Sequence, residues 1–238
     1  MNIPETYNQL DQWTTVMFLY NSALKAINTK IEILNNEFIH LYNYNPIEHI
    51  KSRLKTPESI VKKLKRGGYE VTIPNMIEHL SDIAGIRIIC SFSPDIYRIA
   101  EMIARQSDVT VLVVKDYIKN PKPNGYKSYH MVVSVPVYLS TGPVNVKVEI
   151  QIRTIAMDFW ASLEHKIRYK FEGKAPQHIN EELKACSDIV NMLDAKMLSL
   201  NEEVQALPKV GVEEHHEENV RMQKMWEENK IVDKLQKK

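Results

Sequence analysis

VNVKVEIQIR (144–153) alternates without a break: Val144, Val146, Val148, Ile150 and Ile152 fall on one side, and Asn145, Lys147, Glu149, Gln151 and Arg153 on the other. Strict period-two patterning of this length marks a β-strand with one face on a core and the other on water or a cleft. On the polar side Glu149, Gln151 and Arg153 stand in one row at intervals of about 7 Å, an acceptor, an amide and a fork of donors. Such a row suits either an ordinary solvent face or a polar, charged ligand.

Working outward, three more runs rich in β-branched residues read as strands: IRIICSF (86–92), VTVLVV (109–114) and YHMVVSVPVYL (129–139). TGPV (141–144) joins the last two strands in a hairpin-like connection. Residues 94–105 read as a helix with Ile96, Ile99, Met102 and Ile103 on one side. Residues 158–171 read as another, with Phe159, Leu163, Ile167 and Lys170 at helical spacing. The class is therefore α+β, a small, largely antiparallel sheet with helices on it. Two long amphipathic helices flank this centre. Trp13, Met17, Tyr20, Leu24, Ile27, Ile31, Leu34 and Phe38 step by fours and threes. So do Ile179, Leu183, Cys186, Val190, Leu193, Met197, Leu200 and Val204, between Pro176 and Pro208. Each narrow stripe can pack on its own domain or form a subunit seam.

The 238 residues suffice for one domain with appendages and a sizeable core. The chain is 44% hydrophobic and 26% charged, ordinary values for a soluble globular protein. No apolar run reaches the roughly 18 residues of a membrane helix, and MNIPETYNQLDQW carries no export pattern. A net charge of +1 leaves any nucleic-acid argument to local patches. Cys90 and Cys186 form no disulfide framework and no zinc spacing; both read as small buried hydrophobes in a reducing cytosol. Neither G-x-x-x-x-G-K-[ST] nor G-x-G-x-x-G occurs, so any nucleotide phosphates must be held by Arg and Lys side chains. From Lys209 onward the chain is charged, with EEHHEE at 213–218. Val220, Trp226, Ile231 and Leu235 are compatible with one more thin helix. His215 and His216 could bind a metal, but adjacent helical residues point about 100° apart, which suits a solvated face.

Three further stretches carry chemistry. In SDIAGIRIIC (81–90), Asp82 and Arg87 flank Gly85; paired across a sheet with Glu149, Asp82 would make a candidate Mg²⁺ site. KSRLKTPESIVKKLKR (51–66) is strongly basic. With Thr56 as cap and Pro57 in the first turn, Ser59, Lys63 and Arg66 stack along one side of a helix. In DYIKNPKPNGYKSYH (116–130) a rigid Pro-Gly loop delivers Tyr126, with Lys122, Lys127 and His130 around it, an arrangement suited to stacking on a base beside phosphates.

Taken together, NPIEHIKSR, DIAGIR, PNGYKSYH, VEIQIRT and AMDFWASLEHK resemble the synthetase domain of the Rel/SpoT homologues. The similarity is to the small alarmone synthetases and most of all to their RelP-type branch, and it spans about residues 10–205. It implies a nucleotidyltransferase-like mixed sheet flanked by helices. It implies a (p)ppGpp synthetase that moves the β,γ-pyrophosphoryl group of ATP to the 3′-hydroxyl of GTP or GDP and releases AMP. It also implies a cytoplasmic homotetramer assembled through the terminal helices. On that basis residues 1–205 form the synthetase domain, with an N-terminal helix at 10–41, a catalytic core at 46–171 and a C-terminal helix at 177–205, followed by a charged tail at 206–238.

The resemblance also assigns roles. Arg53 and Arg87 match the arginines on the ATP adenine and phosphates; Lys55, Ser59, Lys63 and Arg66 match the helix on the triphosphate. Asp82 matches the Mg²⁺ ligand, and Glu149 matches the carboxylate that activates the 3′-hydroxyl, shares the metal, or both. Tyr126 matches the ring on guanine, Lys115, Lys122 and His130 the contacts to acceptor phosphates, and Gln151 and Asp158 the acceptor side. Lys127 stands where some relatives carry Arg, which removes a bidentate fork. The other readings of these residues are a catalytically silent nucleotide sensor on the same fold, an RNA-binding protein using the 51–66 ridge, and a helical scaffold.

Overall fold

The computed structural model describes residues 7–169, 171 and 175–207. The elements run α1 (Tyr7–Tyr42), β1 (Ile47–Leu54), α2 (Pro57–Arg66), α3 (Ile73–His79), β2 (Ala84–Cys90), α4 (Ser93–Ala104), β3 (Thr110–Asp116), β4 (Tyr129–Leu139), β5 (Gly142–Thr154), α5 (Ile155–Tyr169) and α6 (Gln177–Ala206). The alternating strand β5 is the middle of a five-stranded sheet in the order β1-β2-β5-β4-β3. Only the β2–β5 pair is parallel; the other three are antiparallel. Leu139 pairs with Gly142, so Ser140 and Thr141 alone turn the β4–β5 hairpin, and Gly142 takes φ +121° at the strand's start.

The apolar alternates of β2, β4 and β5 (Ile86, Ile88, Val133, Val135, Val148 and Ile150 among them) are buried on one face of the sheet. α1 lies against β1, β2, β4 and β5 on that face, and α4 against β2 and β5. Of the first heptad stripe, Tyr20, Leu24, Ile27, Ile31, Leu34 and Phe38 are all buried. At about 1.5–3 kcal/mol for each large apolar side chain removed from water, this one helix supplies a major part of the core. α2 is built as its sequence suggests: the Thr56 hydroxyl accepts from the Ser59 amide at 3.3 Å, and Pro57 occupies the first turn. Ile60 and Leu64, one turn apart, anchor it in the core and leave its cations on the outer side.

Several details differ from the sequence reading. β1 is a full strand, although 47–54 carries no alternating apolar pattern. It is an edge strand with a register shift between Ile47 and His49, so only Ile47 is fully buried and its periodicity is broken. α3, a seven-residue helix capped by Thr72, was too short to leave a periodic signal. α5 begins directly at the end of β5 rather than at residue 158. Cys90 is buried as expected, whereas Cys186 is exposed. The second heptad stripe is not packed along its length: Leu183 is buried, but Leu193, Met197, Leu200 and Val204 are exposed. No described helix is long and apolar enough to cross a membrane. Lys170, the histidine pair His215/His216 and the helix expected around 220–235 lie outside the described residues.

Candidate active site

Residues directly opposed in a sheet share a face, so the register places the polar alternates in rows. Arg53, Gly85 and Glu149 form one row, and Lys51, Arg87, Gln151, His130 and Lys115 the next; Arg153 lies one step further, beside Ile89. A side chain at Gly85 would meet only the Arg53 carbonyl, at 3.8 Å, so this glycine relieves no clash. It leaves the floor low between an arginine and a glutamate.

Asp82 precedes β2. The Lys55 amide donates to the Ile83 carbonyl at 2.8 Å and ties this segment to the end of β1. Two ammonium groups meet the Asp82 carboxylate, Lys55 Nζ 2.8 Å from Oδ2 and Lys63 Nζ 2.8 Å from Oδ1. Burial disfavours the charged form of Asp82, but these two lysines outweigh it and hold the carboxyl below its ordinary value. Glu149 is treated alike by its surroundings. Burial pushes its carboxyl up, His130 and Gln151 pull it down, the negative charge of Asp82 pushes weakly up, and the net direction is down. Both carboxylates therefore stay ionised at neutral pH, and each lies within electrostatic reach of the other.

Five side chains, Glu149 among them, close a circuit. His130 Nδ1 lies 3.5 Å from Glu149 Oε1, and its Nε2 lies 2.8 Å from the Tyr126 hydroxyl. Arg153 Nη2 donates to that hydroxyl and, at 3.0 Å, to Gln151 Oε1. Gln151 Nε2 completes the loop by donating to Glu149 Oε2 at 2.9 Å. A carboxylate on one side and a guanidinium on the other leave the Gln151 amide one orientation. Arg153 is the hub. Its Nε donates to Ser128 Oγ at 3.3 Å, its Nη1 donates to Asp158 Oδ1 at 3.0 Å, and it is only 4% exposed. Asp158 also meets Arg87 Nη1 at 3.1 Å.

Burial, the repulsion of Arg153 and Arg53, and the opposing attraction of Asp158 leave the Arg87 guanidinium less basic than usual. Its Nε is buried without a hydrogen-bond partner among the described residues, a donor that a ligand oxygen would satisfy.

The structure thus gathers Arg53, Lys55, Lys63, Asp82, Arg87, Tyr126, His130, Glu149, Gln151 and Asp158 on and beside one polar face. Ser59 and Arg66 sit on the exposed side of α2. Lys115 is exposed on the edge strand opposite His130. Lys122 is exposed in the loop before Tyr126, with its ammonium 4.7 Å from that ring's centroid. The Tyr126 ring is less free than the sequence suggests: the Arg153 guanidinium carbon lies 5.0 Å from its centroid, and the ring packs against Trp160, Ala161 and Leu183. Asp158 and Gln151, expected as acceptors for a ligand, already accept from arginines. Arg153 was visible as the last member of the alternating row, but nothing in the pattern marked it as the residue joining both halves of the site.

A family model described as "Region found in RelA / SpoT proteins" matches residues 52–174. The chain is 49% identical over 195 residues to the GTP pyrophosphokinase YwaC of Bacillus subtilis, covering 82% of this chain and 93% of that protein. The crystal structure of small alarmone synthetase 2 from Bacillus subtilis superposes with a TM-score of 0.73 at 48% identity, over 80% of this chain and 98% of the other. That of small alarmone synthetase 1 from the same organism, bound to its product pppGpp, gives 0.75 at 36% identity, over 82% and 98%.

Proposed function

The chain belongs to the RelA/SpoT family, and from that premise we propose that it is a GTP pyrophosphokinase of the small alarmone synthetase kind, making (p)ppGpp from ATP and GTP or GDP. The observation that carries the residue-level reading is that Asp82, just ahead of β2, lies within electrostatic reach of Glu149 on the neighbouring β5, with Lys55 and Lys63 on the aspartate and Arg53 and Arg87 on the adjoining rows. In the transfer, the 3′-oxygen of the guanine nucleotide forms a bond to the β-phosphorus of ATP. The bond from that phosphorus to the α–β bridging oxygen breaks, and AMP leaves with the electron pair.

Charge grows on the phosphoryl oxygens, and fixed cations stabilise it without reorganising. Lys55 and Lys63 hold Asp82 in the nucleotide-free protein and are the groups that turn to the triphosphate. The unpartnered Arg87 Nε supplies a further donor. Ionised and oriented by Gln151 and His130, Glu149 takes the proton of the attacking hydroxyl. Tyr126 and Lys122 receive the guanine nucleotide, the ring stacking on the base.

The donor set also fits Mg²⁺, which takes one or two carboxylates and completes its shell with phosphate oxygens and water. Asp82 and Glu149 would hold it, and when bound it would neutralise phosphate charge. Asp82 enters that role only as Lys55 or Lys63 releases it. We also propose a cytoplasmic homotetramer. Supporting it are the exposed apolar residues Phe159 and Leu163 on α5 and Met192, Leu193, Met197 and Leu200 on α6, together with the cytoplasmic pools of both substrates.

The deciding experiment incubates the protein with ATP, GTP and Mg²⁺ and separates the products by chromatography. Equimolar AMP and a guanosine 3′-pyrophosphate are expected. Nucleotide binding with no AMP would make the protein a silent sensor and overturn the reading.

A further inference from the structure

Besides the packing of Tyr126 on Leu183, the loop that carries Lys122 and Tyr126 is hydrogen-bonded to α6. Ser187 is 2% exposed, and its hydroxyl donates to the Gly125 carbonyl at 2.7 Å. Gly125 itself has φ +87°, and a Cβ placed on it would lie 2.6 Å from the Ser187 Cβ, so loop backbone and helix side chain are in direct contact. Asn191, one turn on, donates to Ser187 Oγ at 3.3 Å and so engages one of that hydroxyl's two lone pairs. Within the loop, Gly125 N donates to the Lys122 carbonyl at 2.8 Å and Lys122 N to the Tyr126 carbonyl at 3.2 Å. Whatever holds Gly125 therefore holds both residues assigned to the guanine nucleotide.

We propose that Ser187 is a positioning residue for the acceptor nucleotide: through the Gly125 carbonyl it moors the guanine loop on α6 and fixes where Tyr126 and Lys122 stand. This rests on the reading above that these two residues receive the guanine nucleotide. The helix does not depend on this bond for its own place. Trp160 Nε1 donates to the Leu183 carbonyl at 2.9 Å, and the Thr154 hydroxyl donates to Asp194 at 2.9 Å, so α6 stays docked when the Ser187 hydroxyl is removed. Removal leaves a buried carbonyl without its donor, and that strain falls on the loop.

The test compares wild type with Ser187→Ala in the full-length protein, reading steady-state kinetics for each nucleotide and amide hydrogen exchange by mass spectrometry. Ser187→Ala should raise the guanine-nucleotide KM about five- to tenfold, leave the ATP KM within about twofold, and speed exchange in 120–127 while α6 keeps its protection. Ser187→Cys, with a weaker donor in a similar volume, should fall between the two. An equal rise in both KM values, or no rise in either, overturns the proposal. Should the wild type form no AMP at all, the acceptor role falls with the functional reading. The mooring is then judged by exchange alone, and unchanged exchange in 120–127 overturns it.

Discussion

Glu149 and Ile150 are consecutive residues of β5, yet one enters the polar circuit of the site and the other is wholly buried under the helices that cover the opposite face. The two long helices repeat that contrast at larger scale. α1 and α6 carry the same heptad stepping, but α1 buries six of its stripe residues, five of them in the core over the sheet, whereas α6 exposes its stripe from Leu193 to Val204. This five-stranded sheet has one apolar face, and α1 and α4 cover it. α6 packs instead on a small apolar patch with Trp160 and Ala161 and is tied down by polar contacts at Ser187 and Asp194. A hydrophobic period therefore does not say whether the stripe is covered within its own chain. One face of the sheet holds the molecule folded, and the other carries the polar circuit.

The sharpest way to break the contrast is to change neighbours in β5. Glu149→Gln keeps the shape of the residue and removes the proton acceptor. Turnover should fall by about 100- to 10,000-fold, with the melting temperature nearly unchanged and nucleotide binding retained. Retained turnover would remove Glu149 from the chemistry. Ile150→Ala should do the reverse, costing about 2–5 kcal/mol in denaturant unfolding while the surviving folded protein keeps its KM values.

Much of this division could be read from residues 129–154, where β-branched residues mark both strands, TGPV their connection and unbroken alternation over 144–153 the polar row. It was legible because a half-buried central strand must alternate. β1 was not legible: an edge strand with a shifted register buries too little to impose a period, and its basic residues read as one basic stretch with the helix that follows. Asp82 and Glu149 could each be singled out as carboxylates beside strands, but the circuit through Arg153 could not. It joins residues from β4, β5 and α5 with the loop before β4, and such a meeting is set by register and helix packing rather than by local pattern. Likewise Ser187 stands in no motif, since its significance arises only from Gly125, 62 positions away.

The helices give the next test. Ile27→Ala in α1 should cost about 2–5 kcal/mol, because Ile27 is fully buried and the packed site cannot collapse around the cavity. Met197→Asp in α6 should change protomer stability by no more than about 0.5 kcal/mol, as expected for an exposed site. If the exposed stripe is a subunit seam, light scattering should show the mass of this variant falling below that of the wild type. Unchanged mass together with lost stability would mean that α6 packs on its own chain after all.

The smallest expected effect separates the ion pairs of the polar face from the packing beneath it. Asp82 is held below its ordinary value of 3.8, with burial opposed and overcome by Lys55 and Lys63. A carboxyl whose value is lower in the folded state adds stability that is fully present above the unfolded value and disappears as pH falls through the folded one. Wild type should therefore exceed Asp82→Asn in unfolding free energy at neutral pH. The gap should begin to close only as pH drops below about 3.8, and vanish once Asp82 is protonated in both states. Salt should narrow the same gap at neutral pH, since Lys63 is partly exposed and its attraction is screened. Ile27→Ala, which removes no charge, should give a deficit that neither acid nor salt alters in this way. A gap for Asp82→Asn equally indifferent to both would show that the aspartate is held by packing, and the two faces of the sheet would then differ less than their chemistry implies.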